Sequence, residues 1–416
     1  MSNLSESGKR ISAVYLDYAS TTPVDPEVLQ EMLPYFSEKF GNPSSLHSFG
    51  QEAQAAVDVA RSAAADFLGC LTQEIIFTGS ATEANNIVIL NAVKIARSKG
   101  IKNPHIIASA IEHKSVLEPI RKLEKDGEIT VTYLPVSKEG IIDVEALKNA
   151  LGDNTALVSI MYANNEIGII QPIIEVSNII RNFRENSKFG AALPLMHTDA
   201  AQAALYADMK VKEIGVDALT LSGHKIYGPK GVGVLYAKKE ISLAPIMHGG
   251  EQEYGKRPGT ENVPAIVGIG KALSKISEWG KQSADMQSLR DYFIGRVLEE
   301  IKFTALNGGN PRTQRAEQSP YDGKENRLPN NANILFKGIS SADLLIMLDM
   351  EGIAVSAGSA CSAKSASPEP SHVLRAIGLS EKDAKSSIRF SFGRQTTKGD
   401  IDRALEVLVK LVKRLS

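Results

Sequence analysis

The sequence Val216-Asp217-Ala218-Leu219-Thr220-Leu221-Ser222-Gly223-His224-Lys225 joins a short apolar run to a turn of small and polar residues that ends on a lysine. An apolar run of this length predicts a buried strand, over residues 218–221. Similar runs alternate with amphipathic helical segments between about residues 50 and 240. This alternation predicts an α/β fold in which helices cover a mostly parallel sheet.

The same periodicities give an expected order of elements. In the alternating part, strands are expected over residues 74–78, 105–110, 157–163, 193–198, 218–221 and 231–236, and helices over 51–68, 83–98, 114–125 and 174–186. In the last third, helices are expected over residues 265–300, 341–350, 371–377 and 400–415, and strands over 333–336 and 388–392. Residues 307–331 are rich in Gly, Pro, Asn and charge, which predicts a long exposed loop.

These elements predict two domains. We expect a large domain over residues 15–265 and a smaller α+β domain over residues 266–416, which residues 1–14 complete. A chain of 416 residues is long enough for both.

The composition excludes several classes of protein. The net charge of −1 gives no electrostatic reason to expect a nucleic-acid or membrane-surface partner. No apolar run approaches the ~20 residues that span a bilayer. Residues 1–10 are polar and lack the apolar core of a signal peptide, so we expect a cytoplasmic protein.

The chain contains two cysteines, too few for a disulfide framework or a zinc site. Cys70 follows Phe67-Leu68-Gly69 and is interpreted as a small buried hydrophobic residue. Cys361 differs, because its neighbours over residues 356–363 are Ser, Ala and Gly and it lies on no apolar face. It is a candidate nucleophile in a loop of small residues.

Polar residues of interest follow the predicted strands, at the sheet edge where open α/β sheets bind ligands. Each has a plainer explanation as well. Ser80 or Thr82 could be only a helix N-cap, His113 a cap or core histidine, Asn164 and Asn165 turn formers, Asp199 a helix N-cap and Lys225 an exposed lysine.

Taken together, the strand ends predict one kind of site. The turn before Glu83 suits a phosphate, His113 could stack on a flat ring or move protons, and Asp199 could pair with a pyridinium N–H. Lys225 could hold an aldehyde cofactor as a Schiff base. Because these features occur in this order on successive strands, they predict a pyridoxal-phosphate (PLP) enzyme with a thiol nucleophile.

The chain also resembles a known family over about residues 14–410. The motifs that carry the resemblance are those at residues 15–23, 41–45, 80–83, 112–114, 164–168, 199–202, 222–225, 257–260 and 358–361. They closely resemble the cysteine desulfurases of the NifS/IscS-like group, which are class V, fold-type I PLP-dependent enzymes. The resemblance implies a large PLP-binding domain and a smaller domain that carries the cysteine loop.

The resemblance also implies a role for each matching residue. Lys225 would hold PLP, Asp199 would pair with the ring nitrogen, His113 would stack on the ring, and Gln202 would reach the ring oxygen. The phosphate would be held by Ala81, Thr82, Ser222 and His224, and by Thr260 of a neighbouring subunit in a homodimer. Asn165 and Arg389 would bind the substrate carboxylate, and Cys361 would be the nucleophile. His113 is also expected to act in catalysis, and no metal is expected.

The implied activity is removal of sulfur from L-cysteine, which gives L-alanine and a Cys361 persulfide. An iron–sulfur scaffold or a tRNA-thiolation enzyme would then take the sulfur. A selenocysteine lyase is the nearest alternative, because it shares the PLP motifs, and the cysteine loop favours the desulfurase. An aminotransferase and a catalytically silent binding protein are the remaining alternatives. Some relatives have a longer C-terminal tail that docks the scaffold, and the segment 310–330 looks longer than usual, as a surface insertion would be.

Overall fold

The computed structural model describes residues 13–280, 283–309, 326–358 and 370–415. The strands are β1 (Val14–Tyr15), β2 (Ile75–Thr78), β3 (His105–Ser109), β4 (Thr130–Leu134), β5 (Thr155–Ser159), β6 (Leu195–Asp199), β7 (Ala218–Ser222), β8 (Gly233–Ala237), β9 (Thr304–Leu306), β10 (Asn331–Phe336), β11 (Ile353–Ala354) and β12 (Ser387–Ser391).

The α-helices lie between and around these strands. They are α1 (Pro26–Met32), α2 (Pro34–Ser37), α3 (Ser48–Leu68), α4 (Ala81–Ser98), α5 (Lys114–Lys125), α6 (Val144–Ala150), α7 (Ile173–Asn186), α8 (Val211–Ile214), α9 (Val263–Trp279), α10 (Ser283–Glu300), α11 (Ser341–Met350), α12 (His372–Ala376), α13 (Glu381–Ala384) and α14 (Lys398–Leu415). No helix in the described ranges is long and apolar enough to cross a membrane.

The larger sheet has the strand order β2-β8-β7-β6-β5-β3-β4 among the described residues. The neighbours from β7 to β4 are parallel, and β8 is antiparallel to both β2 and β7. The expected mostly parallel sheet is therefore confirmed. Since β3, β5, β6 and β7 run in the same direction, their carboxyl ends lie at the same edge of the sheet.

Helices cover both faces of this sheet, as the alternation predicts. Successive strand residues point to opposite faces, so Ile75 and Phe77 join one apolar core while Ile76 joins the other. The first core includes α3 and α9, and the second includes α4 and α5. Burial on both faces explains why the central strands are apolar without interruption.

A smaller sheet of order β12-β10-β9 forms a third apolar core with α10, α11 and α14. Strand β1 pairs in parallel with β11, and its Val14, together with Leu16, is buried in that core. The N-terminal segment thus packs with the C-terminal part of the chain. The proposed domain boundary between residues 265 and 266 remains a prediction.

The sequence interpretation missed several short elements and was wrong in one expectation. Among the missed elements is the edge strand β4, although its residues TVTYL are β-branched, aromatic or apolar and so favour a strand. The stretch 307–331 is not an exposed loop at its ends, since Asn307 and residues 326–328 are buried, and Arg327 donates to the carbonyls of Ile167 and Asn307. Most of the segment 310–330, which was interpreted as an insertion, lies outside the described residues, which resume at residue 326.

A buried ion pair fixes the segment that follows the larger sheet. The guanidinium of Arg61 in α3 makes two 2.8 Å bonds to the carboxylate of Glu253, and both side chains are buried. Glu253 also accepts from the backbone N–H of Phe77 at 2.9 Å. Glu253 and Tyr254 have positive φ values of 48° and 59°, which cost energy in residues other than glycine. The ion pair is the contact that holds this strained turn.

Breaking the pair between Arg61 and Glu253 should destabilise the apolar core that contains α3 and α9. We expect Glu253→Gln to lower the free energy of unfolding by about 3–5 kcal/mol, because it leaves Arg61 charged and buried without its partner. Glu128→Gln, which breaks the exposed pair with Arg97, is the matched control and should cost about 1 kcal/mol or less. Urea unfolding followed by the fluorescence of the single, buried Trp279 measures both. Equal losses in the two variants would contradict this account of Glu253.

Candidate active site

A cavity of about 540 Å³ lies at the carboxyl edge of the larger sheet. It brings together ten of the residues singled out from the sequence: Ala81, Thr82, His113, Asn165, Asp199, Gln202, Ser222, His224, Lys225 and Arg389. They come from segments that are far apart in the chain and meet because parallel strands end at one edge. Ser20 and Thr21, from the N-terminal segment, line the same cavity.

Two candidate residues are not among those that line the cavity. Thr260 is exposed. Cys361 lies outside the described residues, as does most of its loop, which is described only up to Gly358 and again from Pro370. The position of Cys361 relative to the cavity therefore stays a prediction.

Lys225 ends a short 3-10 turn directly after strand β7. Its Nζ donates to the carbonyl oxygens of Ala19 at 2.6 Å and Ser20 at 2.7 Å. Two residues later, Tyr227 has a φ of 59°, and its backbone N–H and hydroxyl bind Thr22 and the backbone of Arg394. The turn that presents the lysine is thus held by both ends of the chain.

Asp199 is the last residue of β6 and is buried. Its Oδ2 accepts from Asn85 Nδ2 at 2.8 Å, and its Oδ1 accepts from the backbone N–H of Ala201 at 3.0 Å. The N-cap alternative for Asp199 fails, because no α-helix begins at this residue. Because a carboxylate has about four acceptor positions and these are its two donors among the described residues, Asp199 can accept a further hydrogen bond from a ligand.

His197 lies two residues before Asp199 on the same strand and is fully buried. Its Nδ1 is 2.9 Å from Ser159 Oγ and its Nε2 is 3.2 Å from Thr220 Oγ1, in the neighbouring strands. Burial lowers the pKa of His197 to about 4. The imidazole is therefore a neutral bridge between three strands of the sheet.

His113 has a structural role as a helix N-cap and also lies in the cavity. It is the N-cap of α5, where its Nδ1 accepts from the backbone N–H of Ser115 at 3.2 Å. It also lines the cavity. Burial, as the largest cause, lowers the pKa of His113.

One end of the cavity is rich in hydrogen-bond donors. Ser80 caps α4 by accepting from the N–H of Glu83 at 3.2 Å, and the first helical residues, Ala81 and Thr82, line the cavity. Ser222 and His224 line it as well. Burial and the charges of Lys225 and Lys230 lower the pKa of His224 to about 4. A helix N-terminus beside two such side chains is suited to an anion.

Arg389 reaches the cavity from β12 of the smaller sheet. Its guanidinium is buried and donates to Asp17 at 2.8 Å, to Ser20 Oγ at 2.7 Å and to the carbonyl of Asn165 at 2.9 Å. Its Nε has no partner within the described ranges. Arg389 is thus a buried cation that retains donor capacity at the cavity wall.

The two asparagines after β5 have different roles. Asn164 Oδ1 accepts from the backbone N–H groups of Glu166 and Ile167, so this residue forms the turn, as its plainer explanation holds. Asn165 lines the cavity. Gln202 also lines the cavity, and its Nε2 donates to the carbonyl of Ala19 at 3.0 Å.

The sequence interpretation missed two polar residues next to this cavity. Asn85 is buried within helix α4 and bonds Asp199, while Ser115 lies in the first turn of α5 and bonds His113. The available signal was weak: Asn85 is an amide among the apolar residues Ala84, Ile87 and Val88 on a predicted helix. No motif marked Ser115.

The buried His197 predicts a loss of stability in acid. Its folded-state pKa of about 4 lies below the ordinary value of 6.5, so the unfolded state binds more protons between these pH values. Stability from this residue is complete above about pH 6.5 and is lost as the pH falls toward 4, by at most about 1.4 kcal/mol per pH unit. Unfolding midpoints measured across this range should show a shallower slope for His197→Gln than for the wild type.

His248→Gln, which removes an exposed histidine, controls for the loss of a histidine as such. An unchanged slope in His197→Gln would show that His197 is not the group responsible.

Comparisons with known proteins identify the family of this chain. The aminotransferase class-V family model matches residues 14–404. A cysteine desulfurase IscS of Dictyoglomus turgidum is 46% identical over 403 residues, which cover 97% of this chain and 95% of the relative. A NifS-like protein of known structure has a TM-score of 0.84 at 33% identity, with 97% of this chain and 100% of that chain covered.

The structure of SspA in complex with cysteine has a TM-score of 0.74 at 34% identity and covers 92% of this chain and 99% of that chain. These matches confirm the expected fold, a helix-covered sheet with a smaller α+β part, and the expected resemblance. The chain belongs to the aminotransferase class-V family, and within it to the cysteine desulfurases.

Proposed function

We propose that the cavity binds PLP through Lys225 and removes sulfur from L-cysteine, with Cys361 as the residue that accepts the sulfur. The observation that carries this proposal is the meeting of four groups in one cavity. Lys225, Asp199, His113 and Arg389 come from four separate segments, and each has a chemical property that the reaction needs.

The residues present fit PLP at both of its ends. At the donor-rich end, Ala81, Thr82, Ser222 and His224 would hold the phosphate. At the other end, buried Asp199 would accept from the ring N–H, and Gln202 would donate to the ring oxygen. Bound there, PLP would supply an aldehyde for the lysine and substrate amines and a ring that takes up the electrons of the substrate Cα–H bond.

The substrate would be oriented by its carboxylate. Arg389 has a planar guanidinium at the cavity wall, and a substrate carboxylate that replaced its bonds to Ser20 and Asp17 would form the two parallel bonds that an arginine favours. Asn165 is fixed beside it, because its carbonyl accepts from the same guanidinium. The substrate amine would then face Lys225, whose amine would take up the proton of the substrate Cα.

Cys361 would carry out the sulfur transfer. Its thiolate attacks the sulfur of the substrate, so that an S–S bond forms while the substrate C–S bond breaks and its electron pair stays with carbon. Alanine leaves after the carbon takes up protons, and Cys361 keeps the sulfur as a persulfide. An ordinary thiol has a pKa of about 8.5, so Cys361 must lose its proton to a neighbouring base or to the substrate.

A homodimer is part of the proposal. Thr260 is exposed, as a residue that completes the phosphate site of a second copy would be before assembly. The segment 33–49 exposes an apolar surface that a monomer would leave in water, made of Leu33, Phe36, Phe40, Leu46 and Phe49. The rings of Phe40 and Phe49 are 5.7 Å apart, so part of this surface is continuous. A second copy of the chain would cover it.

In this proposal, an iron–sulfur scaffold or a tRNA-thiolation enzyme accepts the sulfur, since iron–sulfur assembly and tRNA thiolation both start from the same persulfide. The division of the chain near residue 265 and the cytoplasmic location belong to the same proposal. Selenocysteine lyase activity is the alternative, and parallel assays of sulfide and selenide release on the two substrates separate the two.

The test of the nucleophile uses both cysteines of the chain. Cys361→Ser should abolish sulfide and alanine formation from L-cysteine and leave PLP absorbance intact, because the hydroxyl cannot accept sulfur. Cys70→Ser is the matched control and should keep full activity. Cys70 packs against the apolar core that contains α3 and α9, and burial raises the pKa of its thiol to about 12. Desulfuration at the wild-type rate by Cys361→Ser would contradict the proposal.

The test of the carboxylate site is Arg389→Lys. Lysine keeps the charge but cannot form two parallel bonds, so kcat/KM for L-cysteine should fall roughly ten- to hundredfold, mainly through KM. Arg290→Lys is the control, because Arg290 is equally buried but binds the backbone carbonyl of Leu328. Equal effects of the two substitutions on KM would argue against a substrate role for Arg389.

A further inference from the structure

A buried chain of hydrogen bonds connects two candidate residues of the cavity. Asp199 Oδ2 accepts from Asn85 Nδ2 at 2.8 Å, and the same Nδ2 lies 2.8 Å from Ser115 Oγ. Ser115 Oγ in turn lies 2.8 Å from His113 Nδ1. Asn85 is fully buried and Ser115 is buried, so the two bonds of Asn85 are shielded from water.

The direction of each bond follows from the groups at the ends of the chain. Asp199 presents an acceptor oxygen, so the amide of Asn85 must turn its NH₂ group toward it. The second hydrogen of that NH₂ then points to Ser115 Oγ, which accepts it. The hydroxyl hydrogen of Ser115 is left to donate to His113 Nδ1.

The backbone N–H of Ser115 independently indicates which nitrogen of His113 is unprotonated. The N–H of Ser115 can only donate, and it points at His113 Nδ1 from 3.2 Å. Two donors therefore converge on Nδ1, which must be the unprotonated nitrogen of the ring. In neutral His113 the proton is then on Nε2, the nitrogen that remains to donate to a ligand.

We propose that Asn85 and Ser115 are positioning residues that hold His113 neutral, with its proton on Nε2, and that couple its orientation to Asp199. This inference rests on the proposed function, since it assigns the state of one residue in that site. In this state His113 can donate one hydrogen bond from Nε2 to a ligand, while its Nδ1 is already occupied by two donors.

The surroundings of His113 support a neutral ring. Burial disfavours its charged form, and the charge of Lys225 acts in the same direction. Asp199 and Glu166 oppose this, while His372 acts with Lys225. Glu112, the preceding residue, is also fully buried, and burial raises its pKa well above the ordinary value, which disfavours a negative charge beside His113.

The first measurement is the state of His113 in the full chain loaded with PLP. With ¹⁵N-labelled histidine, NMR distinguishes a protonated from an unprotonated ring nitrogen, and His113→Gln identifies the signals. We expect an unprotonated Nδ1 and a protonated Nε2 at pH 7.5. A proton on Nδ1, in either the other neutral form or the cation, would overturn the proposal.

The second measurement is the titration of His113 in variants. Ser115→Ala removes one of the two donors to His113 Nδ1. Because this donor stabilises the neutral form of the ring, the pH midpoint of the His113 titration should rise by roughly half to one pH unit. Ser115→Thr keeps the hydroxyl and should restore the wild-type midpoint. Asn85→Ala should shift the midpoint in the same direction as Ser115→Ala, and the double variant should add little to either.

Asn91→Ala is the matched control, because Asn91 is also a buried asparagine of α4, but it binds the backbone of Ile87 and Ala244. It should lower stability and leave the His113 midpoint unchanged. An unchanged midpoint in both Ser115→Ala and Asn85→Ala, or an equal shift in Asn91→Ala, would overturn the proposal.

These readouts separate the inference from the proposed function. A protein that shows the Nε2–H form but makes no alanine from L-cysteine contradicts the desulfurase site and supports the assignment of His113. An active desulfurase with a proton on His113 Nδ1 supports the desulfurase site and contradicts the assignment of His113.

Discussion

The buried guanidinium of Arg389 is the interaction on which the arrangement of the cavity depends. It extends from the smaller sheet to the edge of the larger one and binds Asp17, Ser20 and the carbonyl of Asn165. The same N-terminal segment supplies the carbonyls of Ala19 and Ser20 that accept from Lys225. A buried arginine is stable only with good partners, so the pair with Asp17 stabilises the segment that positions the lysine.

A second set of contacts holds the lysine turn from the other side. Tyr227 keeps a positive φ because its hydroxyl accepts from the backbone N–H of Arg394, whose guanidinium pairs with Asp25. Both supports run between the N-terminal segment and the C-terminal part of the chain. The position of Lys225 therefore depends on pairs of residues that are 372 and 369 positions apart in sequence, and the cavity forms only when the two parts of the molecule are packed together.

The sequence was most informative where chemistry and topology coincide. Asp199 and Lys225 each end or directly follow a buried strand, and strand ends of a parallel sheet must meet at one edge, so their proximity could be predicted. Asn85 could not be found in this way, because it lies inside a helix and its partner is 114 residues away. The prediction of an exposed loop over residues 307–331 was wrong at both ends of the segment for a related reason. The composition of these ends is typical of a loop, but Arg327 and Asn307 are buried, with long-range hydrogen bonds to backbone carbonyls and to other side chains.

The three histidines of the cavity and the strand beneath it are all shifted toward the neutral form, chiefly by burial. The charged side chains around the cavity are then those of Lys225, Lys230, Arg389, Asp17 and Asp199. A neutral His224 can donate one hydrogen bond to an anion without adding a full charge, and a neutral His113 can lie against a ring without repelling Lys225. Because burial keeps the imidazoles from taking up protons at neutral pH, an amine that can both bind and release a proton is the group best suited to move one. This property favours a lysine, whose charge state depends strongly on its surroundings, over an arginine at the centre of the cavity.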